Sequence, residues 1–174
     1  MLLERYDGRF PHTVAAAGRD AVALARLLAE HFSSFRDVAT WRGQPVPFLK
    51  RAQICVADLS AAFQGQGLGA LSRLDGLTAF ADYKLPQLLR QRGALVYAPE
   101  LAERVDSYAP IAAGSAPELE IRAATIWAVE LLRRRLATLG AQRTASAIDY
   151  RLWAESQEIG GSARPYHRTR TMYY

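Results

Sequence analysis

Three carboxylates stand where a helical pattern asks for an apolar side chain: Asp58 inside ICVADLSAAF, Asp82 two residues after Phe80, and Asp149 beside Tyr150. A carboxylate withdrawn from water costs free energy unless it is paired or hydrogen-bonded. With 22 Lys and Arg in 174 residues, pairing with an arginine or capping a helix end accounts for any one of them. The aromatic neighbours of Asp82 and Asp149 point to a second use, because a flat heterocycle stacks on an aromatic ring while a carboxylate accepts two hydrogen bonds from its amidine-like edge. Lys50 and Arg51 open a helix whose free amides add to their charge, which makes them the best candidates for an anion contact.

Other chemistries are poorly supplied. The three histidines, His12, His31 and His167, are far apart and lack HxxxH spacing, so no metal site is expected. Nothing links a serine to any of them, and no cofactor is called for. The single cysteine, Cys55, lies between Ile54 and Val56 and reads as a small buried side chain rather than a thiol nucleophile. The glycines of Gly65-Gln66-Gly67-Leu68-Gly69 follow a helix instead of a strand and carry no GKS or GKT, so they read as a helix stop and not as a phosphate loop.

Half of the residues are apolar, enough for one core in a chain of 174 residues. The expected organisation is a lead-in segment over residues 1–18 and a single helical domain over 19–174. No apolar run approaches the roughly 20 residues of a membrane span and the start has no apolar leader, so a cytoplasmic protein without membrane association is expected. The net charge of +5 is dispersed and suits a phosphate-bearing ligand. The run Arg133–Arg135 sits where the dipole at a helix end favours cations, which argues against direct nucleic-acid binding. The sequence does not define an oligomeric state.

The elements that must position these residues are mainly α-helical, with at most short extended segments near 94–97 and 167–173. Apolar spacing predicts a helix over Arg19–Ser34 and, after a connection broken by Gly43, Pro45 and Pro47, a second one starting near Pro47. A short helix over Leu74–Tyr83 should end in a bend at Leu85, ahead of a helix opened by Pro86. Ser115 and Glu118 have capping-box spacing and should start a long helix to Gly140, with Ala124, Trp127, Ala128, Leu131, Leu132 and Leu136 buried. Thr144 should cap the last helix.

Several stretches in order are more specific than any one of them: Lys50-Arg51-Ala52-Gln53-Ile54 with Ala57-Asp58-Leu59, Leu77-Thr78-Ala79-Phe80-Ala81-Asp82-Tyr83 with Pro86-Gln87, and Gly114-Ser115 with Glu118-Leu119-Glu120-Ile121-Arg122-Ala123. Ile148-Asp149-Tyr150 with Leu152-Trp153 and the ending His167-Arg168-Thr169-Arg170-Thr171 complete the set. Together they resemble the queuosine salvage protein family, the queuosine 5'-phosphate N-glycosylases. The resemblance implies a helical fold related to DNA glycosylases and hydrolysis of the N-glycosidic bond of queuosine 5'-monophosphate to release queuine for salvage into tRNA. It implies that Phe80 stacks on the base, that Asp82 accepts from its guanine-like edge, and that Asp149 and Tyr150 complete the pocket; Lys50, the anion-contact candidate, is expected as a further substrate contact. Asp149 and Glu155 are its catalytic candidates, since the family's usual aspartate after the Leu-Trp pair is Ala154 here. Family proteins are about twice this length, and their amino-terminal part supplies a histidine to the base pocket. The alternative is a catalytically impaired or truncated helical module that binds a nucleotide, tRNA or a partner chain.

Overall fold

The computed structural model describes residues 1–160 and 163–174. Two short helices, α1 (Leu2–Tyr6) and α2 (Phe10–Ala16), precede α3 (Ala21–His31), which Asp20 caps by accepting from the Ala23 amide at 2.8 Å. A hairpin of β1 (Val38–Trp41) and β2 (Gln44–Pro47) leads into α4 (Lys50–Ala62). After an irregular stretch come α5 (Lys84–Gln91), α6 (Pro99–Asp106), the 23-residue α7 (Ala116–Thr138) and α8 (Ala145–Glu158).

Apolar residues gather in separate clusters. Val14, Leu24, Leu28, Ala52 and Val56 fill the interface of α3 with α4, while Leu85, Val129 and Ile148 join α5, α7 and α8. The link between them is Leu77-Thr78-Ala79-Phe80-Ala81. Its buried residues alternate, and Leu77, Ala79 and Ala81 each enter a different cluster. A period of two belongs to extended chain, and this segment is not the helix expected over Leu74–Tyr83: only Leu74–Gly76 makes a single 3-10 turn. Nor is Leu85 a bend. The helix begins at Lys84 and holds Pro86 in its first turn, where no intrahelical amide is required.

Strand pairing also lies elsewhere than expected. Residues 94–97 pair with nothing in a sheet, and the last segment makes one bridge, with the Ile111 amide donating to the Arg168 carbonyl at 2.8 Å. The hairpin occupies the stretch read as a broken connection. Arg42 and Gly43 take φ of 48° and 78°, the twist of a two-residue hairpin turn. Pro45 and Pro47 are tolerated because a two-stranded ribbon leaves one edge of each strand unpaired. Pro47 therefore ends a strand instead of opening α4.

The long helix starts beside Ser115 as expected, but its cap is rearranged. Ser115 donates its hydroxyl to the Ala112 carbonyl at 2.6 Å, while Glu118 accepts from the Gly114 amide at 3.0 Å. Its buried residues are Glu118, Leu119, Ile121, Arg122, Thr125 and Val129, so the helix is rotated relative to the expected stripe; Trp127 and Leu131 are each 58% exposed.

Gly69 closes the turn after α4. A Cβ there would lie 2.6 Å from Phe63 Cβ and 3.0 Å from the Leu59 carbonyl oxygen, and its own carbonyl accepts from Ser60 Oγ at 3.0 Å. Gly69→Ala is expected to destabilise the chain by about 1–3 kcal/mol through overpacking, read as a lower urea midpoint with unchanged slope.

Candidate functional site

Lys50, Ile54 and Asp58 recur every fourth residue along α4 and so share one face. Asp149, Tyr150 and Trp153 occupy the second and third turns of α8, which starts where Thr144 accepts from the Ala147 amide at 3.1 Å. Between the two helices lies the extended segment, whose alternation turns Phe80 away from the clusters that take Ala79 and Ala81. These three elements enclose a cavity of about 370 Å3 lined by Lys50, Ile54, Asp58, Phe80, Asp82, Asp149, Tyr150 and Trp153.

Hydrogen bonds fix the extended segment from both sides. Buried Gln53 on α4 donates to the Phe48 carbonyl and to Thr78 Oγ1, both at 2.9 Å, while its Oε1 accepts from the Thr78 amide at 2.8 Å. From α8, Asp149 Oδ2 accepts from the Phe80 amide at 2.7 Å. The segment is thus held at Thr78 by Gln53 and at Phe80 by Asp149.

Asp82 is 8% exposed, and its Oδ1 accepts from the amides of Lys84 at 2.8 Å and Leu85 at 3.0 Å. It caps α5 from two residues ahead of Lys84, where the helix begins. Both bonds fall on Oδ1, which leaves Oδ2 for the cavity. Asp149 is 4% exposed, and burial pushes its carboxyl up to about 7. The Phe80 amide and the Lys50 ammonium pull it down, while the Asp82 charge adds to the rise. Tyr150 and Trp153 stack with centroids 6.3 Å apart and rings inclined by 30°, forming an aromatic wall at the mouth, where Tyr150 is 65% exposed.

Of the residues expected to act together, the structure gathers Lys50, Phe80, Asp82, Asp149 and Tyr150 around this cavity. Glu155 does not line it. It accepts from Arg92 Nε at 3.0 Å, at the end of α5. Arg51 also points elsewhere, donating to the Met172 carbonyl at 3.1 Å and lying over the Phe35 ring. Asp58, read as a misplaced core acid, is exposed at the rim. Cys55 is half-buried, and burial followed by the Asp58 charge raises its thiol, which suits no nucleophile. Among the described residues, no three His, Cys, Asp or Glu side chains converge to hold a metal ion, and no helix is long and apolar enough to cross a membrane.

Sequence reasoning missed the supports. Arg122 on α7 is 3% exposed by side chain and meets Asp37, at 2%, through a two-pronged ion pair, with Nη1 to Oδ1 at 3.0 Å. It also donates Nε to the Ala81 carbonyl at 3.2 Å, and its guanidinium lies 3.9 Å from the Phe48 ring centroid. Asp37 Oδ2 in turn accepts from the Lys50 amide at 3.0 Å, capping α4 at the residue that lines the cavity. Glu118, one turn earlier on α7, lies 3.4 Å from Arg122, but nothing in the local spacing points to a partner 85 residues away.

The fold is a mainly α-helical one with a small cavity walled by aromatic rings and acids. Comparison with known families makes that class specific. The model of the queuosine salvage protein family matches residues 1–174, and the chain belongs to that family. It is 55% identical over 174 residues to a queuosine 5'-phosphate N-glycosylase/hydrolase of Sphaerobacter thermophilus, covering all of this chain and 54% of the relative. Relatives of the same name from Mus musculus and Dictyostelium discoideum are 39% and 38% identical, again over all of this chain and 54% of theirs. The chain spans about half the length of the curated relatives it matches.

Proposed function

We propose that this chain forms the base-binding and catalytic wall of a glycosidase that hydrolyses the N-glycosidic bond of queuosine 5'-monophosphate and releases queuine for return to tRNA. What carries the reading is the convergence of Phe80, Asp82, Asp149, Tyr150 and Lys50 on one cavity in a member of the queuosine salvage family. The 7-deazaguanine ring stacks on Phe80 and the Tyr150–Trp153 wall, Asp82 Oδ2 accepts from its amidine-like edge, and the Lys50 ammonium faces the phosphate.

Cleavage of the bond from C1' to N9 sends its electron pair to the base and builds oxocarbenium charge on the ribose. The Asp149 carboxylate, fixed by the Phe80 amide, stabilises that charge. Water adds to C1' and gives up a proton, and N9 of the leaving base gains one. A deazaguanine has no N7 acceptor, so help to the leaving group comes through its other atoms. Glu155 takes no part in this scheme, since its carboxylate is held by Arg92.

Incubation with queuosine 5'-monophosphate, followed by chromatography for queuine, tests the reaction; a thermal shift with the same nucleotide tests binding. Asp82→Asn keeps an acceptor for α5 and is expected to weaken binding at least tenfold with little loss of stability, while Asp82→Ala also loses the cap, about 1 kcal/mol. Unchanged affinity in calorimetry for both variants removes Asp82 from the site. Ala154, standing where the family's usual aspartate lies, gives one ground for a second reading, a module that binds the nucleotide without cleaving it. A thermal shift without queuine release establishes that reading.

A further inference from the structure

The long helix α7 is apolar on more than one side. Its inner face buries Leu119, Ile121 and Val129, yet Trp127 and Leu131 are each 58% exposed, Leu132 is 37% exposed, and Leu139 just past its end is 66% exposed. On the outer side Trp127 and Leu131 stand one turn apart, rimmed by Glu120, Glu130 and Arg134, the arrangement of an interaction site. Two further cavities flank α7. One, of about 160 Å3, is framed by Trp41, Val46, Phe48, Leu119 and Ala123; the other, of about 400 Å3, by Leu77, Ile126, Trp127, Glu130, Arg133 and Arg134. Positions 120, 123, 127, 130 and 134 form one ridge at i+3 and i+4 spacing.

The total surface supports the same conclusion. A monomer of 19.2 kDa is expected to expose roughly 8,400 Å2, whereas this chain exposes 10090 Å2. The excess of about 1,700 Å2 on one partner is the size of an obligate interface, about twice what a standard complex buries on each side. The relatives carry a comparable length of chain beyond the part matched here.

We propose that the outer face of α7, from Ala123 to Leu131 with the hairpin residues Trp41 and Val46 at one end, is the docking surface for the portion of the family polypeptide that lies outside these 174 residues. The chemistry of the occupant follows from the face. Apolar side chains enter the cavity beside Trp127 and the one beside Trp41, and acidic groups meet the arginine end. There Glu130 already engages Arg133 and Arg134, at 2.7 Å each, while Arg135 has no ion pair among the described residues. The proposal rests on family membership and not on the substrate, so it stands whether or not the chain releases queuine.

Hydroxyl-radical footprinting of this chain and of the full-length Sphaerobacter thermophilus relative tests it, with each rate normalised to the residue type. Trp127 and Leu131 are expected to oxidise at near-intrinsic rates in this chain, and the aligned side chains of the relative at least tenfold more slowly. Equal rates in the two proteins overturn the proposal. So does protection of Trp127 in this chain by self-association in sedimentation, which would make the occupant a second copy. Trp127→Glu is expected to leave the Tm of this chain within about 2 °C, as for a surface position. A loss of 10 °C or more would show that the face already belongs to this chain's own core and would also overturn the proposal.

Discussion

Arg122→Ala is expected to lower the stability of the chain by about 3–5 kcal/mol, the usual cost of removing one partner of a buried ion pair. The guanidinium ties together three pieces of chain: Asp37 ahead of the hairpin, Ala81 in the extended segment and Phe48 before α4. Alanine leaves the Asp37 carboxylate buried with only the Lys50 amide to neutralise it. The consequence reaches the cavity, because Asp37 holds the first residue of α4 and Ala81 precedes Asp82. For a chain of this size the loss corresponds to about 10 °C or more in Tm. An Asp37→Leu, Arg122→Met double variant is expected to cost less than Arg122→Ala alone, since the Ala81 carbonyl and Glu118 lose Arg122 in both, while the double also removes the buried Asp37 charge and leaves only the Lys50 amide unpaired in addition. Chemical denaturation of the three variants checks the order; a single variant no worse than the double would remove the ion pair from its structural role.

Asp149→Asn is expected to stabilise the chain above pH 7 and to leave it nearly unchanged at pH 4. Burial raises the folded-state carboxyl to about 7 from the ordinary 3.8. The folded protein therefore holds a proton that the unfolded chain has released. The resulting stability is fully present below pH 4 and is lost as the pH rises through 7, at about 1.4 kcal/mol per unit and about 4 kcal/mol in total. Asparagine removes this dependence and keeps an oxygen for the Phe80 amide. Urea midpoints from pH 4 to pH 8 should converge at the acid end and separate toward the alkaline end, and parallel curves would contradict a raised carboxyl. The same substitution is expected to reduce queuine release at least a hundredfold if Asp149 acts as proposed. A gain in stability at the expense of activity is the usual mark of a site that keeps a carboxylate where packing alone would not.

The acids that looked misplaced in a helical pattern divide into three cases, and only the tertiary structure separates them. Asp58 is exposed, so its odd position reflected a stripe drawn too wide across α4. Asp82 is a cap in the ordinary sense with one oxygen to spare. Asp149 is buried against a backbone amide contributed from 69 residues away. Periodicity reports which residues share a face but not what that face meets, and for α7 it chose the wrong one: Trp127 and Leu131 have core composition without a core, while Arg122 is buried through Asp37, distant in sequence, and Glu118 accepts from the Tyr174 hydroxyl as well as from its neighbours.

By itself the sequence determined α3, α7 and α8 and the end of α4, through apolar spacing at 3.6 residues, through Ser115 and Thr144 at the starts of α7 and α8, and through the glycines that stop α4. These are local effects, settled by neighbours within one or two turns. The order of its short motifs also determined the family. Only the tertiary structure decided that Leu77–Ala81 runs extended, because that segment is shaped by three clusters it passes between and not by its own propensity. The same holds for the site: Lys50, Phe80 and Asp149 face one cavity because Gln53, Asp37 and Arg122 hold α4, α7 and the extended segment together, and Glu155 turns away because Arg92 meets it first.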